Sequence, residues 1–190
     1  MSKYKDIIKK EAKKRRIRVL RWHKPGSVGT YEAYFDSRSV RVPEPQDDYH
    51  FLICLHEIGH LVTGERVYSY LMEYNAEQWA MKRGKEVYGI TDSIYEVDAK
   101  EYVVRCIVAD IVARGLKVHQ IKQKVLDWIG ITHKEVQDVL LANAAAIVLD
   151  WAYKKNICTQ ELADTIVERL PLGDKVASAV YNIAGNVESN

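Results

Sequence analysis

Cysteine, long apolar runs and internal repeats are scarce or missing in this chain, and each lack removes a class of protein. The three cysteines, Cys54, Cys106 and Cys158, are odd in number and far apart. They do not make a disulfide framework and read instead as small core residues of a protein in a reducing compartment. No apolar segment follows the charged start MSKYKDIIKKEAKKRRIR, so no secretory leader is expected. The longest apolar run, VLLANAAAIVLDWA, is too short to span a bilayer and carries Asn143 and Asp150. No repeat or low-complexity tract stands out. These lacks predict a soluble, cytoplasmic chain with no membrane partner.

Within 190 residues there is material for one good hydrophobic core, with room for a small helical appendage. Hydrophobic residues at 47% and charged residues at 28% are ordinary for a globular protein and argue against disorder. The net charge of +2 hides an asymmetry: residues 1–24 hold 11 Lys/Arg against Asp6 and Glu11, a local +9. Such an arm suits nucleic acid or an acidic partner. A solvated helix face is the favoured reading, because Tyr4, Ile7, Ile8 and Ala12 form a thin apolar stripe between the lysines.

The patterning predicts an α+β fold. Residues 3–16 read as an amphipathic helix. IRVLRW (17–22) alternates like a strand, KPGSVG (24–29) has turn chemistry, and TYEAYF (30–35) with SVRVPE (39–44) reads as a hairpin. The expected sheet is small, antiparallel and three-stranded. From residue 47 onward each long segment reads as helix: 47–63, 69–86, 95–114, 119–129, 132–155, 160–169 and 174–185. GKEVYGITDS (84–93) breaks the helical pattern, which divides the chain into 1–88 and a mostly α-helical region, 89–190.

The chemistry is concentrated in FLICLHEIGHLVTGE (51–65). On a helix, His56 and His60 share one face and can aim both imidazoles at one metal ion. Glu57 is rotated about 100° from His56, where a carboxylate can serve as general base toward a metal-bound water without taking a ligand position. Chance placement in a chain of this composition gives roughly 0.014 such patterns, so a second element is required. SYLMEYNAEQWAMKRG (69–84) supplies it, with Glu73 and Glu77 again four apart. Helix, short turn and helix make an antiparallel hairpin. The hairpin brings Glu73 opposite His60 as a third ligand, and Glu77 toward His56, whose second ring nitrogen it can support. The opposite assignment, Glu77 on the metal and Glu73 beside it, stays open. Thr63 and Arg66 stand where the elongated pattern HExxHxxGxxH needs Gly and His. Three protein ligands would leave a place for water, the mark of a catalytic Zn2+ site. A partner for the developing oxyanion could come from Tyr68, Tyr70, Tyr74, Arg66, His23 or His133.

His56-Glu57-Ile58-Gly59-His60, followed by Glu73-Tyr74-Asn75-Ala76-Glu77-Gln78-Trp79-Ala80, resembles the HExxH…ExxA(N/D/E)xxA arrangement of gluzincin-type zinc metallopeptidases. It is most similar to the ImmA/IrrE-like group and related phage-encoded metallopeptidases. The resemblance covers roughly residues 1–86, including the helix and strands before the motif. It implies a minimal zincin domain, with His56, His60 and Glu73 as zinc ligands, Glu57 as the catalytic acid/base and Glu77 behind the ligands. It also implies an endopeptidase acting on a specific intracellular protein, such as a repressor or antitoxin. Asn75 departs from the pattern where relatives often carry a further acid, and the short gap to Glu73 leaves little loop to shape a specificity pocket.

Residues 95–190 carry no comparable metal or nucleophile constellation. VLDWIGITHKEVQDVL (125–140), within 119–140, looks like a helix-turn-helix with Gly130 at its turn, and would present His133, Lys134 and Gln137 to DNA. Glu135 and Asp138 oppose that use, and a bundle packed through Val103, Ile107, Ile111, Ile147, Leu149 and Trp151 fits the same pattern. The competing function is therefore a DNA-associated regulatory protein with a structural or vestigial zinc site.

Overall fold

The computed structural model describes residues 3–24 and 31–141, together with Asp164 and Glu168. The turn expected over 24–29 lies outside the described residues from 25 onward, as do the helix expected over 132–155 beyond residue 141, the helix expected over 174–185 and the packing positions Ile147, Leu149 and Trp151; of the helix expected over 160–169, Asp164 and Glu168 are described, and both are helical. Two compact units divide the chain, Met1–Gly115 and Leu116–Asn190. The division falls a helix later than the composition break at 88/89.

The first unit opens with helix α1 (Lys3–Lys14), which buries Ile8, Glu11 and Ala12. It stops where Arg16 turns to φ 57° and Ile17 N–H donates back to Ala12 O. Strands β1 (Arg18–His23), β2 (Glu32–Tyr34) and β3 (Ser39–Pro43) form one sheet in the order β1-β3-β2. The hairpin of β2 and β3 is antiparallel, in the register Glu32↔Arg41, Ala33↔Val40 and Tyr34↔Ser39. Against expectation the sheet is mixed, because β1 pairs with β3 in parallel, Arg18 opposite Ser39 and Trp22 opposite Val42. Val40 and Val42 are fully buried, which makes β3 the central strand. The hairpin occupies one of its edges, so β1 joins the other. Alternation reveals a strand's faces but carries no direction, and the parallel pairing is therefore invisible in the sequence.

Helix α2 (Asp48–Thr63) begins at Asp47, whose carboxylate accepts from His50 N–H, and ends at Gly64 with φ 77°. Helix α3 (Tyr70–Arg83) is capped by Ser69, whose hydroxyl accepts from Met72 N–H. Gly59 sets the separation of these two helices. A Cβ there would lie 2.9 Å from Ala76 O and 3.2 Å from Trp79 Cε3, so only glycine admits this approach. A π-helical turn (Gly84–Tyr88) leads to α4 (Ser93–Arg114), which is capped by Asp92 and packs against α2 and α3. Asp110 on α4 accepts from Tyr70 N–H at 2.9 Å and so ties α4 to the start of α3. Because α4 completes the cover of the helical hairpin, it belongs to the first unit.

In the second unit, α5 (Gln123–Ile129) ends at Gly130 with φ 86°. Residues 133–141 then form a helix that opens on a reciprocal cap: Glu135 accepts from Thr132 N–H, and Thr132 Oγ1 accepts from Glu135 N–H. Two helices around a glycine turn are present as expected. His133, however, is half-buried with its ring against Ile121 O at 3.2 Å, and Glu135 serves the cap. No helix among the described residues is long and apolar enough to cross a membrane.

Candidate metal centre

The fold turns His56, Glu57 and His60 of α2 and Glu73 and Glu77 of α3 into the interior, each at most 7% exposed. His56 Nε2 and His60 Nε2 stand 2.9 Å apart, and Glu73 Oε2 lies 3.3 Å from the first and 3.4 Å from the second. Bonds of about 2.05 Å at tetrahedral angles around one zinc-sized ion would separate ligand atoms by about 3.3 Å. These three side chains could thus hold a metal ion. Glu73, not Glu77, is the carboxylate that reaches both Nε2 atoms.

Charge points the same way. Among the described residues, Glu73 and Glu77 form ion pairs only with His56 and His60, and no lysine or arginine pairs with Glu57, Glu73 or Glu77. Burying carboxylates without a cation is strongly unfavourable. Glu73 Oε2 and the Nδ1 atoms of both histidines are buried with no hydrogen-bond partner. His56 Nδ1 does approach Glu77 Oε1 to 2.9 Å, an ion-pair distance. Glu77 Oε2 accepts from the Tyr95 hydroxyl at 2.6 Å, so a chain of contacts runs from α4 through Glu77 to the His56 ring.

Burial alone would raise the pKa of Glu73, but the close imidazoles of His56 and His60 outweigh burial and hold the carboxyl at about 2. For Glu57 burial wins: it lifts the carboxyl to about 7 against the charge of His56, with Glu73 and Glu77 adding to the rise. His56 shows the reverse balance, since burial disfavours its charge while Glu77 and Glu73 raise it well above the usual imidazole value. Burial and the neighbouring His56 lower His60.

Two clefts open beside this group. One, of about 570 Å³, is lined by Tyr49, Tyr95, Tyr102 and Arg105 with His56 and Glu57. The other, of about 230 Å³, is lined by Glu32 and Ala33 of β2, with Tyr68, Tyr102, Glu57 and Glu73. Of the expected oxyanion partners, only Tyr68 lines either cleft. Tyr70 and Tyr74 are buried along α3, Arg66 is exposed away from the clefts, and His23 stacks edge-on against Tyr31. His133 belongs to the other unit. Sequence reasoning missed Tyr95 and Tyr102, having treated their helix as packing. The signal was there, because Tyr95, Ala99 and Tyr102 recur at spacings of four and three on one helical face. The Tyr102 ring lies 6.4 Å from that of His56, and burial, then the Glu73 charge, keep its hydroxyl protonated by raising its pKa.

No protein-family model matches the chain, and no curated protein or solved structure matches it.

Proposed function

We propose that the chain is a zinc-dependent endopeptidase that hydrolyses a peptide bond in a specific intracellular protein of the repressor or antitoxin type. The reading is supported above all by the convergence of two imidazole nitrogens and one carboxylate oxygen beside open clefts that Glu57 also lines. The likeness of residues 1–86 to gluzincin-type and ImmA/IrrE-like peptidases supplies the substrate class.

His56, His60 and Glu73 would hold the ion, a nitrogen and oxygen donor set that suits zinc. Zinc supplies Lewis acidity toward a peptide carbonyl and makes water a stronger acid. Glu57 takes a proton from water and delivers it to the leaving amine. Tyr31, Tyr68 and Tyr102 bring hydroxyl donors to the smaller cleft, and of these Tyr68 and Tyr102 would stabilise the developing oxyanion. The edge strand β2 offers its backbone to an extended substrate.

Glu57→Gln tests this reading. The variant should bind zinc as the parent does and lose proteolysis, read by comparing the new protein N-termini that parent and variant generate in the cell. A variant that retains full activity overturns the enzymatic reading and favours a regulatory protein whose zinc is structural.

A further inference from the structure

Away from the metal centre, α1 and β1 enclose a groove of about 430 Å³. Its walls carry four cations, Lys9, Lys13, Arg16 and Arg18, and Trp22 forms part of its lining. No carboxylate among the described residues pairs with Lys13, Arg16 or Arg18. Glu11, the acid of the same helix, is turned inward, where Arg83, Arg15 and Tyr88 hold it. Asp6, one turn before Lys9, does not line the groove. Four of the eleven basic residues of the N-terminal arm therefore meet at one concave place, with no acid among the residues that line it.

Arg16 adds an independent observation. It lies two residues past the end of α1, at φ 57°, a conformation in which glycine is most at ease. An arginine held in that backbone conformation, with its side chain on a groove already rich in cations, is a local departure of the kind that marks a binding site.

We propose that this groove binds single-stranded nucleic acid, with Lys9, Lys13, Arg16 and Arg18 on the phosphates and Trp22 as the platform for a base. An acidic peptide would also satisfy the cations, but a basic groove with an aromatic ring set among its cations is the combination that single-strand grooves use. The proposal does not depend on the metal centre or on proteolysis.

The test is fluorescence anisotropy of the full chain with a fluorescein-labelled oligothymidylate of about 20 nucleotides, longer than most single-strand sites. The matched duplex and polyglutamate serve as competitors. The single strand should bind most tightly, with affinity falling as salt rises. Trp22→Ala should weaken binding about tenfold. Arg16→Gly should weaken it several-fold and reduce the log–log salt slope by about 0.7. Its melting temperature should be equal or higher, since glycine relieves the backbone; a merely structural arginine would not give that combination. Lys10→Gln, outside the groove, should bind within about twofold of the parent. No binding at low salt, equal or tighter binding of duplex or polyglutamate, or indifference to both Trp22→Ala and Arg16→Gly would each overturn the proposal.

Discussion

Tyr95 is the residue whose chemistry reaches furthest from its own position. Its hydroxyl donates to Glu77, and Glu77 faces the second nitrogen of His56, so the ring that aims Nε2 at the metal position is oriented from α4. Tyr95→Phe should leave the fold intact and weaken zinc binding about 10–100-fold, the usual effect of losing a group that orients a ligand. Competition against a chromophoric chelator measures it, and parent-like affinity would remove Tyr95 from the site. Glu11 acts at the same scale on stability. Burial opposes its charge, but the bonds from Arg83 and Tyr88 and the charge of Arg15 leave its pKa below the ordinary 4.5. A carboxyl depressed in the folded state contributes stability that is fully present above about 4.5. That stability is lost as pH falls through the folded value, because the unfolded chain takes up the proton first. Glu11→Gln should therefore lower stability at neutral pH by about 1–3 kcal/mol. It should also flatten the loss of stability below pH 4.5, as acid titrations followed by circular dichroism would show.

The α2–α3 hairpin is the element on which the metal centre depends, and Gly59 governs it. The residue lies inside the HExxH pattern without being specified by it. Its role emerges only from the helix packing, which would leave a Cβ at this position 2.9 Å from Ala76 O. Gly59→Ala must push α3 away from α2 beside the histidines. The expected result is about 1–3 kcal/mol of destabilisation, the usual effect of overfilling a packed interior, together with weaker zinc binding as Glu73 withdraws. Denaturant unfolding with and without zinc reads both effects, and parent-like values in each would show that the helices have slack. Hairpin spacing and helical faces were legible because each is a local property: His56 and His60, and Glu73 and Glu77, stand four apart on two helices joined by a short turn. The direction of β1 was not legible, because parallel and antiparallel strands share one alternation.

Taken whole, the molecule gathers acids in the first unit's interior and an excess of bases along α1 and β1, and the two regions call for different ligands. A cation that binds only the folded chain must stabilise it. Zinc at about 100 times its dissociation constant should add about 2.7 kcal/mol to the unfolding free energy. The shift should vanish in His60→Ala, as thermal melts with matched zinc and chelator would show; an equal shift in that variant would place the ion elsewhere. The sequence by itself determined that His56 and His60 share a helical face, that Glu73 and Glu77 return on the next helix, and that positive charge crowds the first 24 residues. All of these follow from helical periodicity and composition. Tertiary structure alone decided that Glu73 rather than Glu77 reaches both imidazoles, that Tyr95 and Tyr102 stand beside them, and that four cations meet Trp22 in one groove. Those outcomes depend on distances between segments far apart in the chain, set by the packing of Gly59 on Ala76, of α4 on the hairpin and of α1 on β1, which no local pattern encodes.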